Sequence, residues 1–261
     1  MCEINNAKSQ SCELKEIIHV TEEIFILYVN WEWPPPRAGQ FFMIKPERSS
    51  VFLPRPIGIF EYNPREKLVK FLITKAGRGT IELSKLNPGE KIRLSGPFGN
   101  AWADFLPESG KAALISGSAG IAPLAALAAE RPDFTFHLYA GFKNGFEEKI
   151  QENLVLGSAI KSEKIVIAAE DGKNANKGLI LDFFSDPCSY DVIFACGSTP
   201  MLKIVKIKCK SADVPCFLSL ESRMACGAGA CLGCTIRTVN GNRRCCSDGP
   251  IFPAGDVIFN D

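Results

Sequence analysis

LISGSAGIAPLAAL, residues 114–127, is the stretch on which the fold turns. It sits inside an apolar run from Ala112 to Ala129, about as long as a membrane span. Ser116, Gly117, Ser118, Gly120 and Pro123 interrupt the middle of that run. The interruption predicts a buried strand, a glycine-rich turn and then a helix, not a continuous span. The turn is not G-x-G-x-x-G, so the usual dinucleotide fingerprint is absent. It is nonetheless a glycine-rich strand-to-helix turn, the kind that binds dinucleotides at the carboxyl edge of a parallel sheet. Gly117 and Gly120 are its candidate binding residues. Downstream, FTFHLYAG (134–141), KIVIAA (164–169), DVIFACG (191–197) and CFLSLE (216–221) read as strands set among helix-like segments. Alternation of that kind predicts a doubly wound α/β unit over residues 106–221. A second carboxyl-end loop follows DVIFA, with Cys196 and Gly197 leading through Ser198 and Thr199 to Pro200.

Upstream, residues 1–105 read as all-β. Apolar runs at Glu23–Val29, Gln40–Ile44, Leu68–Thr74 and Lys91–Leu94 are separated by the turn signals WPPPRAG, NPREK and NPGE. Even spacing of short strands predicts a β-barrel. Within it, LPRPIG (53–58) places Arg55 before Pro56, Ile57 and Gly58. The proline fixes the local backbone, and an arginine held there offers its planar fork to a phosphate. An Arg–Pro pair is also a common strand end. KAGRGTIELSKL (75–86) brings Gly77, Gly79 and Thr80 to the start of a short helix-like stretch. That arrangement serves a pyrophosphate, or is an ordinary helix start.

Downstream of the α/β unit, ESRMACGAGACLGCTIRTVNGNRRCCSDGPIF (221–252) carries Cys226, Cys231, Cys234 and Cys246. The spacing is C-x4-C-x2-C, with a fourth cysteine a short loop later, as in four-thiolate [2Fe–2S] sites. Gly227, Ala228, Gly229 and Ala230 are small enough for backbone N–H groups to turn inward toward the sulfur atoms. A zinc site favours paired C-x2-C knuckles or a Cys/His mixture; here there is one knuckle and no nearby His. Cys245 competes with Cys246 as fourth ligand. Residues 222–261 show little periodicity, and the cluster, not a hydrophobic core, is expected to hold this third module together.

The 261 residues suffice for two domains and a small module, and 46% hydrophobic content supports real cores. A net charge of +1 points to neither nucleic acid nor an anionic membrane as partner. The first 17 residues have no basic n-region and no apolar h-region, so they do not read as a signal peptide. Eleven cysteines without an export signal imply reduced thiols in the cytoplasm. Cys2, Cys12, Cys188, Cys209 and Cys216 read as ordinary thiols. The only histidines, His19 and His137, fall in apparent strands and read as structural.

Taken together, these motifs resemble the ferredoxin reductase superfamily, in which a flavin-binding barrel precedes a nicotinamide-binding α/β domain. The resemblance implies that Arg55–Gly58 contacts FAD and its phosphate, and that Gly77–Thr80 cradles the pyrophosphate. GSAGIAP and CGSTPM would meet NAD. One departure stands out: Gly58 occupies a position where the superfamily usually carries Ser or Thr, so a hydroxyl contact to the flavin ring is lost or supplied elsewhere. SLESRMACGAGACLGC with CSDGPIF is similar, more narrowly, to the electron-transfer subunits of two-subunit, NAD-dependent dihydroorotate dehydrogenases, and GPFGN (96–100) to their barrel-closing loop. In those, the last ligand precedes a D-G-P turn, which favours Cys246. The resemblance implies FAD, one [2Fe–2S] cluster and NAD as cofactors. It also implies an FMN-containing catalytic subunit as partner, in a heterotetramer of two plus two, within pyrimidine biosynthesis. Electrons would cross from that partner to the cluster, then FAD, then NAD+, with no catalytic acid or base on this chain. A ferredoxin-linked NAD(P)H reductase or hydrogenase-type subunit shares the same barrel and α/β signals. A cluster-bearing regulatory module without turnover is the reading from another class.

Overall fold

A computed structural model describes residues 8–143, 162–172 and 175–259. Cys2 lies outside them. The amino-terminal half forms an antiparallel sheet of seven strands: β1 (Lys8–His19), β2 (Ile24–Asn30), β3 (Phe41–Pro46), β4 (Arg55–Gly58), β5 (Glu61–Asn63), β6 (Leu68–Thr74) and β7 (Lys91–Phe98). Their order across the sheet is β4-β3-β7-β1-β2-β6-β5, with the short helix α1 (Arg78–Leu83) between β6 and β7. Alternation along β7 explains its register, since Ile92, Leu94 and Phe98 are buried while Lys91 and Arg93 are exposed.

β2 is apolar without such alternation, and the packing shows why. Phe25, Leu27 and Val29 point into the barrel core with Trp31 and Phe42, whereas Ile24 and Ile26 join Leu72 in a second core shared with the α/β half. A strand buried on both faces loses the polar half of its period.

The second sheet contains β8 (Lys111–Gly117), β9 (Thr135–Phe142), β10 (Ser162–Ala169), β11 (Asn176–Lys177), β12 (Val192–Cys196) and β13 (Cys216–Ser219), and β8 is followed by helix α2 (Ile121–Glu130). Its order is β11-β10-β9-β8-β12-β13, all parallel. The Ala112–Ala129 run is therefore strand, turn and helix. No helix among the described residues is long and apolar enough to cross a membrane. α2 buries Ile121, Ala122 and every residue from Leu124 to Ala128. It is apolar nearly all round because it is clamped between the parallel sheet and the barrel. Ala38 N donates to Glu130 Oε2 at 2.6 Å, and Arg37, paired with Asp104 at 2.7 Å, also lies 3.9 Å from Glu130 Oε1, so that Glu130 of α2 ties the two halves at their rim.

Helix α3 (Thr199–Ala212) links β12 to β13. The terminal module holds the hairpin β14 (Thr235–Thr238) and β15 (Gly241–Arg244), one helical turn α4 (Cys245–Asp248), and β16 (Ile251–Pro253). β16 pairs antiparallel with β13 and becomes the edge of the second sheet. This corrects the expectation that a cluster alone secures the last segment. Cys245, Cys246, Phe252, Ala254 and Val257 share a core with Ile193, Leu218 and Leu202, and Ile251 enters the core around α2. Asn100, from the GPFGN loop, donates to Ile251 O at 2.9 Å and accepts from Ile251 N at 3.1 Å. A single amide thus imitates a strand partner and joins barrel to module.

Candidate functional site

A cleft of about 540 Å³ opens where the barrel, the α/β sheet and the terminal module meet. Arg55, Pro56, Ile57, Gly58 and Thr80 form its barrel wall; Gly117, Gly120, Cys196 and Gly197 form the opposite wall. Nine predicted positions far apart in sequence therefore line one space. The glycine loops at the carboxyl ends of β8 and β12 touch backbone to backbone. A Cβ at Gly120 would collide with the Cys196 carbonyl, and one at Gly197 would lie 3.0 Å from Gly117 N. Any side chain there would force the loops apart and narrow the cleft.

Gly77 and Gly79 do not line the cleft, and the structure gives them other work. Gly79 lies under the Arg55 guanidinium, where a Cβ would stand 2.5 Å from Nε and 2.8 Å from Cζ. The two barrel motifs thus meet as one unit. Arg55 Nη1 also donates to Leu53 O at 2.8 Å, which fixes the fork. Thr80 Oγ1 accepts from Ala76 N at 2.9 Å and Gly77 N at 3.2 Å and donates to Gly77 O at 3.1 Å, pinning the loop. A fixed guanidinium above a backbone that leaves no room for a methyl group fits a dinucleotide phosphate.

Sequence reasoning missed three contributors. Thr74, at the end of β6, lines the cleft, and its buried Oγ1 has no hydrogen-bond partner. Glu221, just beyond β13, lines the cleft and also a second space of about 270 Å³ beside Arg237 and Ile258. Burial raises its carboxyl pKa. Burial also pushes the Cys196 thiol up to about 12, with Glu221 adding to the shift, so Cys196 is a neutral wall of the cleft. The third is Glu170. With Lys143, Phe142, Leu179, Gly117 and Ser118 it lines a neighbouring cavity of about 330 Å³ across the carboxyl ends of β8, β9 and β10. The signal for Glu170 was its place directly after a parallel strand; single-residue patterns carried none for Thr74 or Glu221.

The histidines stand apart from the cleft. His137 Nδ1 and Tyr190 OH lie 3.0 Å apart, and Tyr190 OH is 2.8 Å from Tyr139 OH, within a packed aromatic group. His19 ends β1, tilted against Phe25.

Met224 and Pro250, both in the terminal module, complete the cleft, and Cys226 is two residues beyond Met224. The four predicted ligand cysteines fall into two pairs. Cys234 Sγ and Cys246 Sγ lie 3.2 Å apart, and Cys246 Sγ accepts from Gly229 N at 3.0 Å. Cys226 Sγ accepts from Cys231 N at 3.5 Å. Gly227 (φ 72) and Gly229 (φ 78) are left-handed, as is Leu232 (φ 58), and this turns loop amides toward sulfur. Burial raises the Cys226 pKa, but the N–H groups of Cys231, Ala228 and Ala230 outweigh it and hold the thiol at about 6. Cys246 is instead pushed up to about 12, first by burial and then by the neighbouring Cys234. Among the described residues no three His, Cys, Asp or Glu side chains converge as on a single ion. Two pairs of cysteines on a loop of inward amides fit a two-iron cluster better than one zinc ion. Cys245 turns away from both pairs: its Sγ donates to Leu220 O at 3.4 Å, and burial pushes its pKa to about 12. Asp248 fixes the following turn by accepting from Arg244 N at 2.7 Å and Nη2 at 3.1 Å.

Comparison with known proteins agrees with this geometry. Residues 221–258 match the family described as the iron–sulfur cluster binding domain of dihydroorotate dehydrogenase B. A Clostridium acetobutylicum protein named dihydroorotate dehydrogenase B (NAD(+)), electron transfer subunit, is 37% identical over 247 residues, covering 94% of this chain and 96% of the relative. Its Clostridium perfringens counterpart of the same name is also 37% identical, over 95% of this chain and 97% of its own. Among solved structures, an NADH-dependent reduced ferredoxin-NADP oxidoreductase superposes with TM-score 0.78 at 23% identity, covering 95% of this chain and 89% of that one. A Neisseria gonorrhoeae ferredoxin NADP+ reductase with bound FAD and NADP gives TM-score 0.61 at 14% identity, over 78% and 92%. These two likenesses establish a ferredoxin reductase-like fold.

Proposed function

The chain belongs to the family of dihydroorotate dehydrogenase B electron transfer subunits, and from that premise we propose how its own residues carry the task. It is an oxidoreductase subunit that passes electrons from the catalytic subunit, where dihydroorotate is oxidised, to NAD+. When bound, a [2Fe–2S] cluster supplies single-electron transfer, FAD converts between one and two electrons, and the nicotinamide takes a hydride.

The observation that carries this reading is the shared cleft, because barrel wall, nicotinamide-side loops and cysteine module all reach it. In this reading Arg55 clamps the FAD pyrophosphate from above Gly79. Pro56, Ile57 and Gly58 line the flavin's bed, and Gly77 and Thr80 hold the adjoining loop closed. Gly117, Gly120, Cys196 and Gly197 admit NAD against the flavin, with the dinucleotide's far end in the cavity beside Glu170. Cys226, Cys231, Cys234 and Cys246 would hold the cluster, which would supply the single-electron step. Glu221 is the acidic side chain at the junction of cleft and module. The reduced thiols and the cluster chemistry support a cytoplasmic location, and the relatives' subunit naming supports assembly with a catalytic subunit; an FMN-containing partner in a heterotetramer of two plus two is the form this reading gives that assembly.

Reconstitution tests the reading. Prepared without air, the chain carries one FAD, two iron and two acid-labile sulfide per molecule. Alone it oxidises NADH with an artificial acceptor and leaves dihydroorotate untouched. With its catalytic subunit it couples dihydroorotate oxidation to NAD+ reduction. A mixture that shows no such coupling, with both proteins fully loaded, would sink the assignment.

A further inference from the structure

An ion pair packs against the loop of inward amides. Arg244 ends β15, and Asp248 ends the helical turn α4. The Asp248 carboxylate accepts from Arg244 three times, from N at 2.7 Å, Nε at 3.2 Å and Nη2 at 3.1 Å. Nε and Nη2 form the edge of the guanidinium that faces the carboxylate, so Nη1 is left on the far side. There it donates to Gly229 O at 3.5 Å. The cation therefore lies between Asp248 and the cysteine loop. Gly229 is also the residue whose N–H donates to Cys246 Sγ at 3.0 Å. A Cβ on Gly229 would stand 2.8 Å from Ser247 Oγ and 3.4 Å from Arg244 Nη1, so loop, turn and guanidinium are in direct contact. Capping the turn needs only the backbone N–H of residue 244, which almost any residue supplies. A guanidinium held by its own edge and turned toward the sulfur-binding loop does more than cap. Arg243, its neighbour, is exposed on the opposite side of the strand.

Resting on the functional reading above, we propose that Arg244 sets the reduction potential of the cluster held by Cys226, Cys231, Cys234 and Cys246, raising it, while Asp248 holds the guanidinium in place and offsets part of its charge. Reduction adds one electron, and so one negative charge, to the cluster. A fixed cation beside the ligand loop favours the more negative form, as N–H groups aimed at the sulfur atoms also do. Arg244 and the Gly229 amide thus act in the same direction. The pair is only partly open to water, with side chains 39% and 15% exposed, so its field is not fully screened. A cluster of raised potential takes the electron from the catalytic subunit more readily.

Arg244→Gln, Arg244→Lys, Asp248→Asn and Arg243→Gln test this in the full chain loaded with FAD and cluster, by redox titration followed through the EPR signal of the reduced cluster. The potential falls in Arg244→Gln. It stays nearer wild type in Arg244→Lys, which keeps the charge without the fork. It rises in Asp248→Asn, whose side-chain oxygen still accepts from Arg244 N. Arg243→Gln removes the same charge from the exposed face of the same strand and leaves the potential in place. An unmoved potential in Arg244→Gln overturns the proposal. So do shifts of one sign in Arg244→Gln and Asp248→Asn, the mark of a loop merely distorted, and equal shifts at 243 and 244, the mark of net charge alone. If Arg244→Gln fails to load the cluster, a potential in Asp248→Asn at or below wild type overturns it. Failure of every Arg244 and Asp248 variant to load makes the pair a building element only, and overturns it as well. If the wild-type chain itself carries no two-iron cluster, the functional reading fails; if wild type and variants all carry it at one potential, only this inference fails.

Discussion

Replacing Gly79 by Ala separates flavin binding from folding. The added methyl would sit 2.5 Å from Arg55 Nε, 2.8 Å from Cζ and 2.9 Å from Nη2. Carbon and nitrogen rest comfortably at about 3.5 Å or more, so the guanidinium must move by roughly 1 Å. A shift of that size stretches the 2.8 Å bond from Arg55 Nη1 to Leu53 O beyond useful range and swings the fork off its phosphate position. Losing one charge-assisted contact costs about 1.5–3 kcal/mol, equivalent to a ten- to hundredfold rise in Kd. The helix itself gains, since Ala is favoured over Gly within helices by about 0.5–1 kcal/mol, and Gly79 is not in the left-handed region. FAD titration of the apoprotein and urea denaturation of the same sample read the two effects separately: weaker FAD, unchanged or higher stability. Arg55→Ala weakens FAD by a similar factor, and the double variant is no worse than either single one, because Gly79→Ala acts through Arg55. Wild-type FAD affinity in Gly79→Ala, or losses that add in the double variant, would refute the reasoning.

Cys246→Ser strongly alters the visible and EPR spectra of the cluster, whereas Cys245→Ser leaves them nearly intact, since Cys245 Sγ faces Leu220 O; the opposite pattern would exchange the two roles. Glu221→Gln bears on pH. Burial raises the folded pKa of Glu221 above its unfolded value of about 4.3. The stability this confers is complete below that value and is lost as pH rises through the folded pKa. A permanently neutral Gln escapes that loss, so its melting temperature exceeds wild type at neutral pH and converges with it toward about pH 4.3; a parallel offset at every pH would show that the carboxyl is not penalised.

The local text determined much of this protein. LISGSAGIAPLAAL announces strand, turn and helix because glycine and proline in mid-run forbid a single helix. The cysteine spacing announces a cluster because a loop that must aim several amides at sulfur needs small residues. Nine cleft positions were legible as strand-end glycines, an Arg–Pro pair and a Cys–Gly loop. The β14–β15 hairpin had a local signal too, Asn240–Gly241, with Gly241 at φ 93. Tertiary structure decided the rest. β2 and β6 feed two cores at once, which periodicity cannot assign to partners. β16 leaves the cysteine module to edge the parallel sheet, a pairing made over long sequence separation and clamped by Asn100. Cys245 and Cys246 are neighbours in sequence, yet successive positions in a helical turn point in different directions, so only one faces Cys234. Gly79 owes its identity to Arg55, 24 residues away, and Thr74 owes its unspent hydroxyl to what its neighbours fail to offer. Sequence records which groups exist and their local spacing; which of them meet, and which are left unpaired, is set only when distant segments close around a common space.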